Sequence, residues 1–196
     1  MIQLNTGMSI TIHECKTPAG LVIPGLYEIQ PRIFGDNRGY FFESYSERDM
    51  AGRTARFVQD NESSSVKGVL RGLHFQKQHP QGKLVRVIHG EVFDVAVDIR
   101  EGSVTFGAWY AVVLNGEKHN QFYIPPGFAH GFLVTSETAL FAYKCTDFYH
   151  PEDESGIIWN DAALGIEWPR LDREYILSEK DKQLPPFAHI SRRAGN

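Results

Sequence analysis

Sulfur is scarce in this chain: it has two cysteines, Cys15 and Cys145, and neither stands in a Cys-x-x-Cys or other ligand spacing. Two cysteines cannot build a disulfide framework, so a stapled secreted scaffold is excluded and free buried thiols are the default. Long apolar runs are missing as well. None approaches the roughly 20 residues needed to span a bilayer, and no basic stretch leads into an apolar one as a signal peptide requires. The expected compartment is the cytoplasm, with no membrane partner. Nor is there an excess of positive charge, because 20 Lys and Arg face 24 Asp and Glu for a formal net charge of −4. Without a basic field nucleic acid is a poor partner, and an anionic ligand has to be held by a few placed cations. Three signatures are also absent: G-x-G-x-x-G after a strand, G-x-x-x-x-G-K-[ST], and G-x-S-x-G. A Rossmann cofactor site, a P-loop and an α/β-hydrolase nucleophile elbow are excluded with them.

What is present points to strands. The 18 glycines and ten prolines are spread along 196 residues, which suits short strands and tight turns in one well-filled domain, 1–196. Phe93, Val95, Val97 and Ile99 alternate with Val92, Asp94, Ala96 and Asp98, a period of two. Leu84–His89 reads as another strand, ending at a turn on Gly90. Trp109–Leu114, His130–Thr135 and Ala139–Tyr149 continue the series at short spacing. Helix is sparse, with a turn near Ser46–Arg53 and short pieces after Asn160. The expectation is an all-β jelly-roll barrel with short peripheral and C-terminal helices. Residues 1–7 show no pattern, which leaves Met1 and Met8 both open as the start.

In such a barrel every second strand position points inward, so inward polar residues are the informative ones. A lone strand histidine is more often structural than catalytic. His74, however, sits in Gly68-Val-Leu-Arg-Gly-Leu-His-Phe-Gln76, with Arg71 before it, Gln76 after it, and Lys83 opening the next strand. Collecting such groups in one buried site is unfavourable unless something polar or anionic binds there. Strict alternation puts Arg71 and His74 on opposite faces, and only a bulge at Gly72 can bring them to one cavity. Tyr143 and Tyr149 share a parity; on one unbroken strand they would stand about 20 Å apart at roughly 3.3 Å per residue. That spacing fits either aromatic packing or the two ends of an extended nucleotide-sugar. Ile124–Phe132 reads as a rigid loop with His130 at its junction with a strand. Asp36–Glu43 reads as a turn and a strand, and Gln59–Ser63 as a polar loop.

A metal site is disfavoured by the donors themselves. The cupin pattern wants His-x-His, and the second histidine falls on Gln76; His74 and His130 alone do not complete a ligand set. No metal and no other cofactor is expected.

Nine runs in order, Asp36–Glu43, Phe57–Ser63, Gly68–Gln76, Gln81–Arg86, Gly90–Arg100, Ile124–Phe132, Tyr143–Tyr149, Ile157–Asp161 and Leu177–Asp181, resemble the dTDP-4-dehydrorhamnose 3,5-epimerase family. The likeness spans almost the whole chain except an N-terminal extension of about 20 residues. It implies a cupin-like jelly roll, a homodimer, no metal, and a dTDP-linked 4-keto-6-deoxyhexose as substrate. It further implies His74 as general base, Asp181 as the carboxylate orienting it, Tyr143 as the acid on the opposite face, and Lys83 as the group that stabilises the enolate. Tyr149 would stack on thymine. Arg38, Glu43, Gln59, Asn61, Arg71, His130, Glu154 and Lys180 match ligand-binding positions.

The chemistry suits these residue types. In a 4-keto-6-deoxyhexose both C3 and C5 flank the ketone, so inversion means taking a proton from one face and returning one to the other. A carboxylate-backed imidazole is a suitable base near neutrality, and a phenol is a usable donor to an enolate. The expected reaction is conversion of dTDP-4-dehydro-6-deoxy-D-glucose to dTDP-4-dehydro-L-rhamnose, a step toward dTDP-L-rhamnose. Three alternatives stay open at this level: an enzyme inverting only C3 or only C5, a non-catalytic sugar-nucleotide-binding barrel, and a metal-dependent cupin.

Overall fold

The computed structural model describes residues 9–191; Met1 and Met8 lie outside the described residues. In chain order the strands are β1 (Ile10–Lys16), β2 (Val22–Pro31), β3 (Phe34–Asp36), β4 (Gly39–Phe41), β5 (Gln59–Val66), β6 (Leu70–Gln76), β7 (Lys83–His89), β8 (Glu91–Asp98), β9 (Trp109–Asn115), β10 (Gln121–Ile124), β11 (Phe128–Val134), β12 (Thr138–Cys145) and β13 (Glu154–Gly156). Short helices occupy Glu47–Met50 (α1), Glu179–Lys182 (α2) and Ala188–Ser191 (α3). One antiparallel sheet runs β1-β2-β10-β7-β12-β5, a second β13-β6-β11-β8-β9, and β3-β4 form a separate hairpin. This is the expected jelly roll in the form of two facing sheets. Among the described residues no ladder closes them into a barrel.

The period of two in β8 explains the layering. Val92 and Ala96 point between the sheets, where they meet Phe122, Phe141, Leu26 and Val85 from the six-stranded sheet. Val95 and Val97 point the other way, beneath the C-terminal tail, with Leu73, Ile157 and Leu164. Both faces are therefore apolar, and each fully buried Phe or Leu stabilises by about 1.5–3 kcal/mol. The tail lacks regular structure but is tied down. Trp109 Nε1 donates to the Leu164 carbonyl at 2.8 Å, and Asp161 accepts the backbone N–H groups of Ala163, Leu164 and Phe187. Ile176 then pairs with the backbone of Gly68 and Leu70, which brings α2, and with it Asp181, against β6. On the other side, α1 covers the outer face of the six-stranded sheet through Met50, against Ile29, Leu84 and Tyr123.

Three sequence expectations need correction. The strand expected over Ala139–Tyr149 stops at Cys145. Thr146 and Gly82 close it off reciprocally: Thr146 N–H donates to the Gly82 carbonyl and its hydroxyl accepts the Gly82 N–H. The polar run Gln59–Ser63 is not a loop; it opens the edge strand β5, with Gln59, Asn61 and Ser63 half-buried and Asp60 and Glu62 exposed. His130 lies inside β11, not at a loop junction. The N-terminal extension, for its part, contributes the edge strand β1.

Candidate active site

A cavity of about 240 Å³ opens between the two sheets. From the five-stranded sheet it receives His74 and His130, which sit directly opposite one another on β6 and β11. Their juxtaposition depends on a bulge. His74 pairs with His130 and Arg71 with Phe132, so Gly72 and Leu73 on β6 face only Gly131 on β11. Gly72 has φ +122°, and a Cβ on it would lie 2.5 Å from the Gly131 Cα; one on Gly131 would lie 2.6 Å from the Arg71 carbonyl oxygen. Two bare backbones therefore touch at this point, and only glycine permits it. The bulge answers the parity problem only in part, because Arg71 is exposed and does not line the cavity. His74 lines the cavity beside Tyr143, and Arg71 lies close enough for its charge to favour the Tyr143 phenolate.

Each histidine has a carboxylate behind it. His74 Nε2 is 2.6 Å from Asp181 Oδ1, which leaves Nδ1 as the ring nitrogen free of that contact. Burial raises the Asp181 pKa, but hydrogen bonds from His74, Ser178 and the Gly72 N–H, with the His74 charge, outweigh it and the net shift is downward. His130 Nε2 is 2.9 Å from Asp94 Oδ1, and Asp94 is fully buried. Burial holds the His130 pKa below its ordinary value against the opposing pull of Asp94.

The six-stranded sheet supplies the other wall: Gln59 and Asn61 from β5, Lys83 from β7 and Tyr143 from β12. Tyr143 stands opposite Asn61 on one side and Val85 on the other, while Lys83 stands opposite Cys145. Burial lowers the Lys83 pKa, only partly opposed by Cys145, Asp94 and Glu154. Burial raises that of Tyr143, so the phenol keeps its proton at neutral pH. The walls thus present an imidazole with a carboxylate behind it on one side, and a protonated phenol with the Lys83 amine on the other.

The rim is polar. Tyr149 lies beyond the end of β12, its hydroxyl donating to Glu154 Oε2 at 2.6 Å and its N–H to Gln59 Oε1 at 3.1 Å. The Glu154 bond pushes the Tyr149 pKa up to about 12. Lys180 also binds Glu154, and Arg71 donates to the Ser65 hydroxyl at 3.0 Å. Of the residues singled out in the sequence, Gln59, Asn61, His74, Lys83, His130, Tyr143, Tyr149 and Glu154 line one cavity, with Asp181 behind His74. Arg38, Glu43, Arg71 and Lys180 do not line it; Arg38 is exposed on the β3–β4 hairpin, paired with Asp36.

Asp94 escaped the sequence reading, although an acid among Val92, Ala96 and other inward positions of β8 was a signal. Gln81, Phe75 and Phe128 also line the cavity. Among the described residues no three His, Cys, Asp or Glu side chains gather as a metal site would need.

Comparison with known proteins bears on what such a cavity does. A family model described as dTDP-4-dehydrorhamnose 3,5-epimerase matches residues 20–189. The dTDP-4-dehydrorhamnose 3,5-epimerase of Pseudomonas aeruginosa is 56% identical over 171 residues, 86% of this chain and 94% of that one. The Methanothermobacter thermautotrophicus enzyme of the same name is 53% identical over 168 residues, covering 84% and 91%. The crystal structure of a dTDP-6-deoxy-D-glucose-3,5-epimerase from Legionella pneumophila, in complex with dTDP-4-keto-L-rhamnose, superposes with a TM-score of 0.86 at 52% identity, covering 94% of this chain and 96% of that one.

Proposed function

The chain belongs to the dTDP-4-dehydrorhamnose 3,5-epimerase family, and on that premise we propose how its cavity carries out epimerisation at C3 and C5 of dTDP-4-dehydro-6-deoxy-D-glucose. The observation that carries the reading is that the two proton-handling groups come from facing sheets: His74 from one wall, Tyr143 from the other. A sugar ring lying between them meets a base on one face and an acid on the other. Inversion needs that arrangement, because a single residue returning its own proton to the same face would regenerate the starting configuration.

His74 removes the proton from C3 or C5, each acidified by the C4 ketone. Asp181 fixes the imidazole tautomer and stabilises the imidazolium that forms. Electron density moves onto O4, where Lys83 stabilises the enolate; removing such a donor from a comparable site costs about 3 kcal/mol of barrier. Tyr143, kept protonated by burial, delivers a proton to the opposite face. His130, held by Asp94, orients a sugar oxygen. Arg71 suits the diphosphate through its fork of donors, and Gln59, Asn61, Glu154 and Lys180 complete the binding surface. Tyr149 is the platform for the thymine ring. No redox or metal step is required by this sequence of proton transfers.

The active assembly is a homodimer in this reading. Arg38 is exposed on a hairpin that also exposes Tyr40 and Phe41, at 62% and 55%. Those aromatics suit a second copy, whose cavity would then receive Arg38 and Glu43.

The test is solvent exchange. With the 4-keto substrate in D₂O, mass spectrometry should find deuterium at both C3 and C5. Label at neither carbon would sink the proposal, and label at only one would restrict it to a single centre.

A further inference from the structure

Gln76 stands where a metal-binding cupin would have histidine, yet its side chain is committed elsewhere. It is 6% exposed. Its amide nitrogen donates to the carbonyls of His79 at 2.7 Å and Phe148 at 3.2 Å, and its amide oxygen accepts the His150 N–H at 2.8 Å. Phe148 and His150 flank Tyr149. One buried amide therefore grips the backbone on both sides of the tyrosine, with both of its N–H donors and its carbonyl engaged. The same amide fastens the loop after β6 to the loop after β12. The His79 and His150 rings stack across that junction at 4.1 Å, and Asp153 accepts the N–H groups of Gln78 and His79.

The Tyr149 ring itself is half exposed and has no core packing to define its place. Its own two hydrogen bonds, from the hydroxyl to Glu154 and from the N–H to Gln59, hold its tip and its nitrogen. The backbone between residues 148 and 150 sets where the Tyr149 Cα–Cβ bond points, and Gln76 holds that backbone on both sides.

We infer that Gln76 is a positioning residue for base recognition, holding the Phe148–His150 backbone so that Tyr149 presents its ring to the nucleotide. The inference rests on the reading of Tyr149 as the base platform. Gln76 borders the cavity, but its amide is committed to backbone groups, so its loss should raise KM more than it lowers kcat. A merely structural glutamine would lower the melting temperature without that split.

The test is a double-mutant cycle on dTDP binding by calorimetry, with Gln76→Ala, Tyr149→Ala and the double variant. Base stacking on an aromatic ring is worth enough that Tyr149→Ala should weaken dTDP about 10- to 100-fold. Gln76→Ala should give most of that loss, and in the Tyr149→Ala background it should add no more than about twofold. Gln76→Glu keeps the acceptor for His150 but turns an acceptor on the two carbonyls, and should weaken binding at least as much as Gln76→Ala. Full affinity in Gln76→Ala, or losses that simply add, would overturn the inference and leave the Tyr149 reading standing. Undiminished binding by Tyr149→Ala would overturn both. In the unsubstituted protein the His150 amide should exchange slowly with solvent despite lying in a loop; fast exchange would also overturn the inference, whatever the variants do.

Discussion

His74 Nε2 and Asp181 Oδ1 lie 2.6 Å apart although 107 residues separate them in the chain. The contact exists because the C-terminal tail pairs through Ile176 with the backbone of Gly68 and Leu70, at the start of β6, and so sets α2 against that strand. Asp181→Asn preserves the shape but replaces an obligate acceptor with a group that can also donate, freeing the imidazole to take the wrong tautomer. Turnover should fall by about 10²- to 10⁴-fold with KM changed only a few-fold. Steady-state kinetics and the rate of deuterium entry measure this directly, and near-normal exchange in the variant would remove Asp181 from the mechanism.

Much of this arrangement was legible in the sequence, for reasons that can be traced. β8 was readable because alternating apolar residues report burial directly and both of its faces meet a core, and β7 because Val85 and Val87 enter the core between the sheets while Leu84 packs under Met50. β5 was misread as a loop because its inward residues, Gln59 and Asn61, face the cavity and not the core. Polarity there reports an open cavity, which local pattern cannot tell from solvent. Tyr149 was placed on a strand because parity continues past Cys145, while the strand end is set by a long-range pairing of Thr146 with Gly82 that leaves no local mark. The His74–Asp181 pairing was not deducible from residue chemistry alone. It came through family resemblance, since contacts across 107 residues have no local signature. Asp94 passed unremarked among the alternating residues of β8, because its partner appears only in the register, which sets it opposite Phe132 and diagonal to His130.

Lys83 should govern the alkaline limb of the rate profile. Burial lowers its pKa, so as pH rises it loses its charge, and with it the stabilisation of the enolate, sooner than an exposed lysine near 10.4 would. Turnover should therefore decline below that ordinary value. Lys83→Arg, charged throughout the range, should move the limb upward even at reduced activity. Lys83→Met should lose about 10²- to 10³-fold in kcat. A limb in the same place for wild type and Lys83→Arg would assign it to another group.

The glycine contact between β6 and β11 sets a stability prediction. Gly72→Ala adds a Cβ 2.5 Å from the Gly131 Cα, at φ +122°. Overpacking costs about 1–3 kcal/mol and the unfavourable backbone conformation about 1–2 more, which at this chain length lowers Tm by on the order of 10 °C. Calorimetry checks the value. Because the new atom must push β6 from β11, activity should fall even at temperatures where the variant stays folded. A variant with native Tm and native turnover would mean the strands separate easily.

Acidification should destabilise the protein in two stages. His130 has a folded pKa below its ordinary value; below about pH 6.5 the unfolded chain binds a proton that the native state resists. Its contribution is thus intact above that pH and is lost as pH falls toward the folded value. Asp98 and Asp181 also have lowered folded pKa values, so their contributions persist to about pH 3.9 and vanish as pH falls through those values. Urea midpoints measured from pH 8 to 3 should show both declines, and His130→Asn should flatten the first. An unchanged slope near pH 6 in that variant would assign the first stage elsewhere.

The touching backbones of Gly72 and Gly131 bear on how this cavity can diversify. The offset between the two imidazoles is written in main chain against main chain, with no side chain between to serve as a shim. Mutation elsewhere in the core cannot tune that offset by small increments. The cavity's other wall and rim are built from replaceable side chains, among them Gln59, Asn61, Tyr149 and Glu154. Acceptance of a different sugar or base is therefore open to gradual change around a fixed pair of histidines, and laboratory selection for new nucleotide-sugars should collect its substitutions on the rim and the six-stranded wall while sparing both glycines.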